Sequence, residues 1–361
     1  MAHPTYTITP FALREASDDA LAAVNALRNE LRAEREPHDP PTPVATMMHR
    51  MRNVPAFVDA RAWSVSNGGG LLVAFAVIYI PITDENRHVA EFTIDVQAAH
   101  RRRGIGRGLL AHIVDAADSQ HRTLLVSATD ARIPAGEAVM ERLGATRGIV
   151  AQTHQLDLAH LDDALVQAWI DDARTLAAGY ELHASEGPYG EEELPAISAL
   201  HGVMNEQPRD DLDIEDERMT PERLREIERY LFGGTTGRWT LTARDGASGD
   251  LVGFTELYLD TERPDLARQG DTGVFPDHRG KGIGRWLKAS MLRKLRFERP
   301  EVRLVRTDNA DSNAAMRRIN EALGFEPYSA NCVWQVRVDQ VRAYLHARRP
   351  EPLDGSRHQV P

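Results

Sequence analysis

Two short segments of the chain combine basic residues with closely spaced glycines, a pairing suited to binding a phosphate group. The first, Arg101 to Gly106, reads Arg-Arg-Arg-Gly-Ile-Gly, and the second, Arg279 to Gly284, reads Arg-Gly-Lys-Gly-Ile-Gly. Where such a turn leads from a strand into a helix, unpaired backbone N–H groups converge at the helix N-terminus, where the helix dipole favours an anion. Each turn is therefore a candidate anion site, although one Gly-x-Gly turn taken alone could be no more than a tight connection.

The two turns belong to an internal repeat. The second begins 178 residues after the first, and each is preceded by a histidine, His100 or His278. The dipeptide Thr42-Pro43 recurs as Thr220-Pro221 with the same offset of 178 residues. Threonine at the N-cap with proline at the first helical position is a favourable helix start, so we predict one at each pair. A repeat of this length in a chain of 361 residues indicates two domains.

The elements that must position the turns follow the same order in both halves. Apolar residues at helical spacing precede each Thr-Pro pair, so each half is predicted to open with two helices. Three strands follow, and an Asn-Gly or Asp-Gly turn joins the first two of them. The glycine turn then leads into a helix, a strand, a helix that ends in Leu-Gly, and a last strand. The predicted order is ααβββαβαβ in each half, which is typical of an α+β fold.

The common nucleotide-binding folds do not fit this pattern. A Rossmann fold places its glycines directly after the first parallel strand of a βαβ unit. Here an antiparallel meander precedes the turn, and Pro276-Asp-His-Arg intervenes. A P-loop requires Gly-Lys followed by Ser or Thr, which neither turn has.

Composition excludes several further classes. The chain is 42% hydrophobic and 27% charged, which is ordinary for a folded protein, and its formal net charge of -11 disfavours nucleic-acid binding. The longest apolar run, Leu71 to Ile82, is too short to cross a membrane, and the N-terminus does not resemble a secretion signal. A single cysteine, Cys332, and scattered histidines predict neither a disulfide framework nor a metal site. We therefore expect a cytoplasmic protein that has no metal, nucleic-acid or membrane partner and is a monomer or weak homodimer.

The full pattern resembles the GCN5-related N-acetyltransferase (GNAT) family, most closely in the second half. The matching segments there are Val-Phe-Pro-Asp-His-Arg-Gly-Lys-Gly-Ile-Gly at 274–284, Thr-Asp-Asn at 307–309, Asn313, Met316, and Asn-Glu-Ala-Leu-Gly-Phe at 320–325. The likeness covers nearly the whole chain and is closest to the tandem, mycothiol-synthase-like members known from actinobacteria. It implies an α+β fold with a mixed, mostly antiparallel sheet and helices on both faces, in two tandem domains.

The expected division of the chain follows the repeat. Residues 1–158 form an N-terminal GNAT domain and residues 159–180 a linker helix. Residues 181–347 form the catalytic GNAT domain and residues 348–361 a flexible tail. The first half retains the glycine turn but has Ile133 where the second has Asn313, and it lacks the Thr-Asp-Asn strand end. It is therefore expected to bind CoA without turnover or to serve only as a structural partner.

The resemblance implies that acetyl-CoA lies in a V-shaped gap where the third and fourth core strands separate. The backbone of 274–276 would pair with the pantetheine arm, residues 279–284 would hold the pyrophosphate, and Asn309 and Asn313 would face the CoA. The two asparagines could instead serve as a turn former and a helix-start residue. The candidate CoA-binding residues are Val274, Phe275, Pro276, Arg279, Gly280, Lys281, Gly282, Ile283, Gly284, Asn309 and Asn313, with Arg101, Arg102, Arg103, Gly104, Ile105 and Gly106 in the first half.

Transfer to an amine requires a base, a donor to the tetrahedral oxyanion, and an acid for the departing thiolate. The resemblance implies that a backbone N–H near Val274 is the oxyanion donor. For the base we consider Glu256 and Asp271, with Glu91 as the first-half candidate, although carboxylates on strands often only face solvent. The family's usual acid, a tyrosine four residues before the glycine of Leu-Gly, is Asn320 or Met140 here. Tyr328 is a possible substitute, or else a packed aromatic residue.

The acceptor is expected over the loop between the two opening helices of the second half. This loop is strongly acidic from Arg209 to Glu217, which predicts a small, cationic primary amine or a lysine side chain, unless the loop is only a solvated surface. The predicted activity is an N-acetyltransferase that uses acetyl-CoA by direct attack of the amine on the thioester. A non-catalytic CoA-responsive binding protein and a protein-lysine acetyltransferase remain alternatives.

Overall fold

A computed structural model describes residues 5–347. The first repeat contains β1 (Tyr6–Phe11), α1 (Asp18–Arg35), α2 (Val44–Arg52), β2 (Val58–Asn67), β3 (Leu72–Pro81), β4 (Val89–Val96), α3 (Ile105–Ser119), β5 (Leu124–Asp130), α4 (Pro134–Arg142) and β6 (Thr146–Asp157). Helix α5 (Asp163–Leu176) follows. The second repeat contains β7 (Tyr180–Glu186), α6 (Leu194–His201), α7 (Pro221–Phe232), β8 (Thr236–Asp245), β9 (Leu251–Asp260), β10 (Leu266–Val274), α8 (Ile283–Glu298), β11 (Leu304–Ala310), α9 (Ala314–Ala322), β12 (Glu326–Arg337) and α10 (Val338–Ala347).

All the strands join one sheet, in the order β1-β2-β3-β4-β5-β12-β6-β11-β10-β9-β8-β7. The last strand of each repeat therefore lies beside the fourth core strand of the other: β12 pairs with β5, and β6 pairs with β11. Strands β6 and β12 also pair with each other across the centre of the molecule. The division at residues 158 and 181 follows the repeat along the chain, whereas the sheet is built from exchanged strands.

The helix that follows each exchanged strand lies with the opposite repeat. Helix α5 contributes Trp169 and Ile170 to a core that also contains Leu287 and Leu292 of α8. Helix α10 contributes Val341 to the corresponding core around α3. The segment expected to be a linker is therefore part of the second repeat's core. Helices α1 and α2 cover the other face of the sheet in the first repeat, and α6 and α7 cover it in the second.

The predicted fold class is confirmed, with two corrections at the start of the repeats. Each half opens with a strand, β1 or β7, before its two helices, because short edge strands with few buried residues carry little periodic signal. Thr220 caps α7 by accepting the N–H of Arg223 at 3.3 Å, as predicted. Thr42 does not cap α2; its hydroxyl accepts Arg32 Nη1 at 2.7 Å instead. The predicted tail, residues 348–361, lies outside the described residues.

Candidate active site

In each half, two parallel neighbours separate after three residue pairs. Strands β4 and β5 pair from Val89↔Leu124 to Glu91↔Val126, and β10 and β11 pair from Leu266↔Leu304 to Arg268↔Arg306. Beyond these pairs the strands diverge towards the glycine turns, because β6 and β12 hold β11 and β5 on their far sides. Each half therefore has a V-shaped gap beside its glycine turn.

A β-bulge distinguishes the second gap from the first. Gln269 of β10 pairs with Leu257 of β9 and the pairing resumes at Thr272 opposite Thr255, so Gly270 and Asp271 together face Glu256. In the first half, β3 and β4 pair in unbroken register from Tyr79↔Glu91 to Ala74↔Val96. The bulge bends β10 and changes the direction of its side chains. The corresponding strand of the first half, β4, has no such bulge against β3.

The end of β10 turns a backbone donor towards the gap. Phe275 N–H donates to Val252 O at 2.9 Å, across the pair with β9. Because neighbouring N–H groups of a strand point in opposite directions, the N–H of Val274 faces away from β9 and into the gap. This is the geometry required of a donor to an oxyanion formed there.

The glycine turns differ in one backbone position. Gly282 and Gly104 precede α8 and α3 with φ of 77° and 82°, in the left-handed region where glycine is favoured. Gly280 also has a positive φ, 78°, whereas its counterpart in the first turn is Arg102, with φ of 63°. The first turn therefore keeps the same conformation with a residue that disfavours it.

Each turn is held by a tyrosine from the opening strand of its repeat. In the second half, the Tyr180 hydroxyl lies 2.9 Å from His278 Nδ1 and accepts Lys281 Nζ at 2.6 Å. In the first half, Tyr6 contacts His100 and Arg103 in the same way, at 3.0 and 3.2 Å. The strands that sequence reasoning missed thus position both turns. The available signal was a tyrosine about 100 residues before the glycine turn in each half, 98 residues from Tyr6 to Gly104 and 102 from Tyr180 to Gly282.

The first arginine of each turn binds the strand that precedes it. Arg279 Nε donates to Val274 O at 2.8 Å, and Arg101 Nε donates to Val96 O at 3.0 Å. Arg101 also pairs with Glu34 through two bonds of 2.8 and 2.9 Å. Arg279 therefore fixes the strand end beside an open turn, whereas the counterpart in the first half is neutralised by a carboxylate.

The two predicted asparagines lie at the end of β11 and the start of α9. Asn309 is within β11 rather than in a turn; it is buried, and its Nδ2 has no hydrogen-bond partner among the described residues. Asn313 caps α9 by accepting the N–H of Met316 at 3.2 Å and donates to Gln207 Oε1 at 2.7 Å. Asn309 thus offers a free donor beside the gap, while Asn313 has the helix-start role considered as its alternative.

Glu256 lies on β9, opposite the bulge, in a buried polar network. It accepts the hydroxyls of Tyr189 and Tyr258, each at 2.9 Å, and its Oε1 lies 3.7 Å from Arg238 Nη1. Arg238 is itself buried and is paired with Glu228 at 2.6 Å. These contacts commit the Glu256 carboxylate to the network.

Asp271, on the bulge itself, keeps an exposed surface although protein atoms surround it on most sides. This partial desolvation, followed by the negative charges of Glu256 and Glu217, raises the pKa of Asp271 to about 6. A carboxylate with this pKa can accept a proton near neutral pH more readily than an ordinary aspartate. Asp271 therefore combines access with basicity, which Glu256 does not.

Glu217 belongs to the acidic loop, residues 209–217, which lies against the first half. The N–H of Asn86 donates to Glu215 Oε2 at 2.7 Å, and the N–H of Glu215 donates to Asn86 Oδ1 at 2.8 Å. Arg209 pairs with Asp216. After burial, the charge of Glu217 also raises the pKa of Glu91. The loop is thus partly committed to the contact between the halves, and the charge of Glu217 acts on a carboxylate of each half, Asp271 and Glu91.

Tyr328 lies elsewhere, on β12 near the centre of the sheet. Its ring stacks under the guanidinium of Arg306, 3.9 Å from the ring centroid, and its hydroxyl lies 3.5 Å from Asp39 Oδ1. Arg132 contacts the other side of this residue. Its role as the acid stays a prediction, and its observed contacts are those of the packed aromatic alternative.

Two buried polar residues lie on α8 and α9: Lys288, which sequence reasoning missed, and Asn320, which it noted only as a departure from the family's tyrosine. Lys288 is 1% exposed and its Nζ lies 3.8 Å from Met316 Sδ, while both side-chain amide atoms of Asn320 are buried without a partner among the described residues. Burial lowers the pKa of Lys288 to about 7. The equivalent positions of the first repeat are Leu110 and Met140, both buried in an apolar core. The difference between Lys288 and Leu110 within the repeat was the signal that could have identified the lysine.

Residues 5–347 contain no helix that is long and apolar enough to span a membrane. Within the same residues, no cluster of three or more histidine, cysteine, aspartate or glutamate side chains is arranged to hold a metal ion.

Comparison with known proteins defines the class of this fold and site. The sequence profile of the Acetyltransferase (GNAT) family matches residues 24–144 and 200–325, one segment in each repeat. The chain therefore belongs to the GNAT family, whose members use acetyl-CoA, and is an N-acetyltransferase with two such domains in tandem. No match is found among curated protein sequences.

Several solved structures are similar over most of the chain. A tandem GNAT protein from the clavulanic acid biosynthesis pathway, solved without acetyl-CoA, is 28% identical with a TM-score of 0.75, and the match covers 92% of this chain and 99% of that one. A GCN5-related N-acetyltransferase from Sphaerobacter thermophilus is 14% identical with a TM-score of 0.62 over 92% of this chain and 96% of that one. A fungal GCN5-related glucosamine N-acetyltransferase region is also 14% identical, with a TM-score of 0.64 over 93% of this chain and 38% of that one. The last two show likeness of fold alone.

Proposed function

We propose that the second half transfers the acetyl group of acetyl-CoA to a small primary amine that arrives as a cation. The observation that carries this proposal is the β-bulge of β10, which exposes Asp271 at the mouth of a gap that also contains the Val274 N–H. The first half has a gap and a turn but no bulge between β3 and β4. We therefore assign the chemistry to the second half alone.

The residues of the second gap fit acetyl-CoA. Space above Gly280 is open, and the first turn of α8 presents N–H groups suited to a pyrophosphate. Of the backbone at 274–276, the Val274 N–H faces the gap, and the Nδ2 of Asn309 has no partner among the described residues and could donate to the pantetheine arm. In the first half, Arg102 and the Glu34–Arg101 pair disfavour an equivalent site.

The reaction follows from these positions. An alkylammonium ion, attracted by Asp271 and Glu217, transfers a proton to the carboxylate of Asp271. The free amine nitrogen attacks the thioester carbon, and the resulting oxyanion accepts the N–H of Val274. The C–N bond forms and the C–S bond breaks, so that the electron pair leaves with the sulfur as CoA thiolate. The second N–H proton passes from nitrogen through solvent to that thiolate. Glu256 holds Tyr258 beneath the bulge and positions it.

The experiment measures thiol release from acetyl-CoA by the full chain with a panel of primary amines. Asp271→Asn is expected to lower kcat/KM by about 10²–10⁴-fold, the usual effect of losing a general base. The matched control is Asp84→Asn, since the Asp84 side chain is 99% exposed on the first half. CoA binding without turnover of any amine would overturn the proposal and favour a CoA-responsive binding protein. Turnover of lysine-containing peptides alone would favour the protein-lysine alternative.

A further inference from the structure

A cavity of about 570 Å³ lies between the two halves, on the face of the sheet that carries α1, α2 and α7. Its wall in the first half comes from α1, α2 and their connection, and its wall in the second half from the strands beside the bulge. Six arginines and three carboxylates line it. These are Arg28, Arg32, Arg35, Arg50, Arg263 and Arg268, with Glu36, Asp95 and Asp260.

The carboxylates neutralise only part of this charge. Asp95 pairs with Arg28 at 3.3 Å, and Glu36 pairs with Arg32 at 2.6 Å and, more weakly, with Arg268 at 3.9 Å. Within the described part of the chain, neither Arg35 nor Arg50 has a carboxylate within ion-pair distance. The Nε atom of Arg50 is buried and has no hydrogen-bond acceptor there.

Two of the cavity's arginines, Arg32 and Arg263, share a single carboxylate with a third arginine, Arg306. Asp39, from the α1–α2 connection, accepts two hydrogen bonds from Arg306, at 2.5 and 2.6 Å. The same carboxylate also pairs with Arg263 at 3.0 Å and Arg32 at 3.1 Å. One carboxylate thus serves three guanidinium groups, which hold the pKa of Asp39 well below its usual range despite its burial.

The neighbouring positive charges also affect Arg263. Its side chain is 9% exposed and its Nε has no hydrogen-bond partner among residues 5–347. Burial, followed by repulsion from Arg32, lowers the pKa of Arg263. A chain with a net charge of -11 has concentrated positive charge in one partly buried cavity, where an anion would be attracted and weakly screened.

The cavity adjoins the bulge. Tyr258 lies in its wall and over Gly270, where a side-chain Cβ would come within 2.6 Å of the ring. Arg268 lines the cavity three residues before Asp271 on the same strand. The cavity and Asp271 therefore lie at neighbouring positions along β10, with Tyr258 between them.

We propose that this cavity binds an anionic substituent, a carboxylate or a phosphate, on the acceptor whose amine is acetylated at Asp271. Guanidinium groups bind both anions through paired hydrogen bonds, so the two share one recognition chemistry. The inference rests on the proposed function. It makes the substrate zwitterionic, with the cationic end at Asp271 and the anionic end between the halves, and it gives the first half a direct part in substrate binding.

The test compares amines that differ only by the anion. Cadaverine is paired with L-lysine for the carboxylate, and ethanolamine with O-phosphoethanolamine for the phosphate. We expect kcat/KM to be at least about tenfold higher for one of the anionic members, a preference of the size that a charged hydrogen bond contributes. Arg50→Gln and Arg35→Gln should remove the preference through KM and leave the non-anionic amines unaffected. Arg174→Gln, on a side chain 79% exposed, is the control.

The outcomes separate this inference from the function it rests on. Turnover with equal efficiency for both members of each pair, or a preference that survives both substitutions, would overturn the anion site while supporting the acetyltransferase. If no amine is turned over, calorimetric titration with inorganic phosphate under saturating CoA still tests whether the cavity binds an anion. Binding that is lost in Arg50→Gln supports the site, and its absence in the unsubstituted protein overturns it.

Discussion

At the scale of single residues, the candidate site depends on two carboxylates that differ in their hydrogen-bond partners and in their exposure to solvent. Glu256 and Asp271 face each other across the bulge, but Glu256 is committed to two tyrosines and a buried arginine. Asp271 keeps an exposed surface and a raised pKa. Their positions in the sequence did not show which of the two is the accessible base, because burial of a side chain on a bulged strand depends on what packs over it.

The first prediction concerns pH. Because Asp271 must be deprotonated to accept a proton, and because its pKa is about 6, kcat/KM should rise about tenfold per pH unit below pH 6 and level off above it. Measurement of kcat/KM from pH 5 to 8 with one good acceptor checks this. Glu217→Gln removes one repelling charge and should shift the midpoint downward; an unchanged midpoint would contradict the electrostatic cause.

The second prediction concerns Lys288. The folded protein holds its pKa at about 7, against 10.5 for the free side chain, so between these pH values the unfolded chain binds a proton that the folded chain does not. Stability therefore rises with pH from about 7 to 10.5, and the penalty is greatest below pH 7. Lys288→Leu, which introduces the residue type of the first repeat, should stabilise the protein at pH 7 by about 2–5 kcal/mol.

Urea unfolding of Lys288→Leu at several pH values provides the measurement. The comparison variant is Lys294→Leu, which removes an ammonium group paired with Glu186 and Glu298 and should destabilise slightly, by up to about 1 kcal/mol. A destabilised Lys288→Leu protein at pH 7 would show that the buried amine makes a favourable contact that outweighs its desolvation.

At the scale of elements, the glycine turn is sensitive to backbone conformation. Gly282 has a φ of 77°, and an added Cβ would find its nearest neighbour at 3.6 Å, so substitution causes strain without a clash. Gly282→Ala should cost about 1–2 kcal/mol and raise the KM for acetyl-CoA, because strain will move the N–H groups that face the pyrophosphate.

Thermal unfolding and acetyl-CoA saturation curves check the effect of Gly282→Ala. Gly237→Ala is a matched control, since Gly237 does not have a positive φ and has open space around its Cα. An equal change in both variants would show that the turn does not depend on its left-handed residue.

At the scale of the whole molecule, the exchanged strands join the two repeats into one folding unit. Strand β12 pairs with β5 and β6, and β6 pairs with β11, so neither repeat completes its sheet from its own residues. The Asp39 cluster adds charged contacts between the halves. Separation of the repeats would expose strand edges at the centre of both sheets.

We therefore predict a single cooperative unfolding transition. Far-UV circular dichroism and tryptophan fluorescence should report coincident transitions in denaturant, with an m-value appropriate to the whole chain. Residues 1–158 expressed alone should aggregate or remain partly unfolded. Two resolved transitions, or a stable monomeric fragment, would contradict the exchange.

Most of the fold and part of the site could be predicted from the sequence. The repeat, the glycine turns and the order of most elements depend on local patterns: helical spacing, turn residues and glycine positions are properties of neighbouring residues. The opening strands were missed because short edge strands bury few residues. The asymmetry between the halves was predicted from Asn313 and Ile133. The bulge is an independent structural difference that also distinguishes the second half as the better candidate for catalysis.

The two glycine turns and the family they indicate were thus determined by the sequence alone, because both are set by residues close together in the chain. Only the tertiary structure decided which last strand completes which half, that Asp271 rather than Glu256 stays accessible, and that arginines from both repeats meet in one cavity. The strand exchange and the arginine cavity depend on contacts between segments more than 100 residues apart, and a local pattern does not specify the partner. The accessibility of Asp271 depends on the bulge between β9 and β10 and on what packs against it.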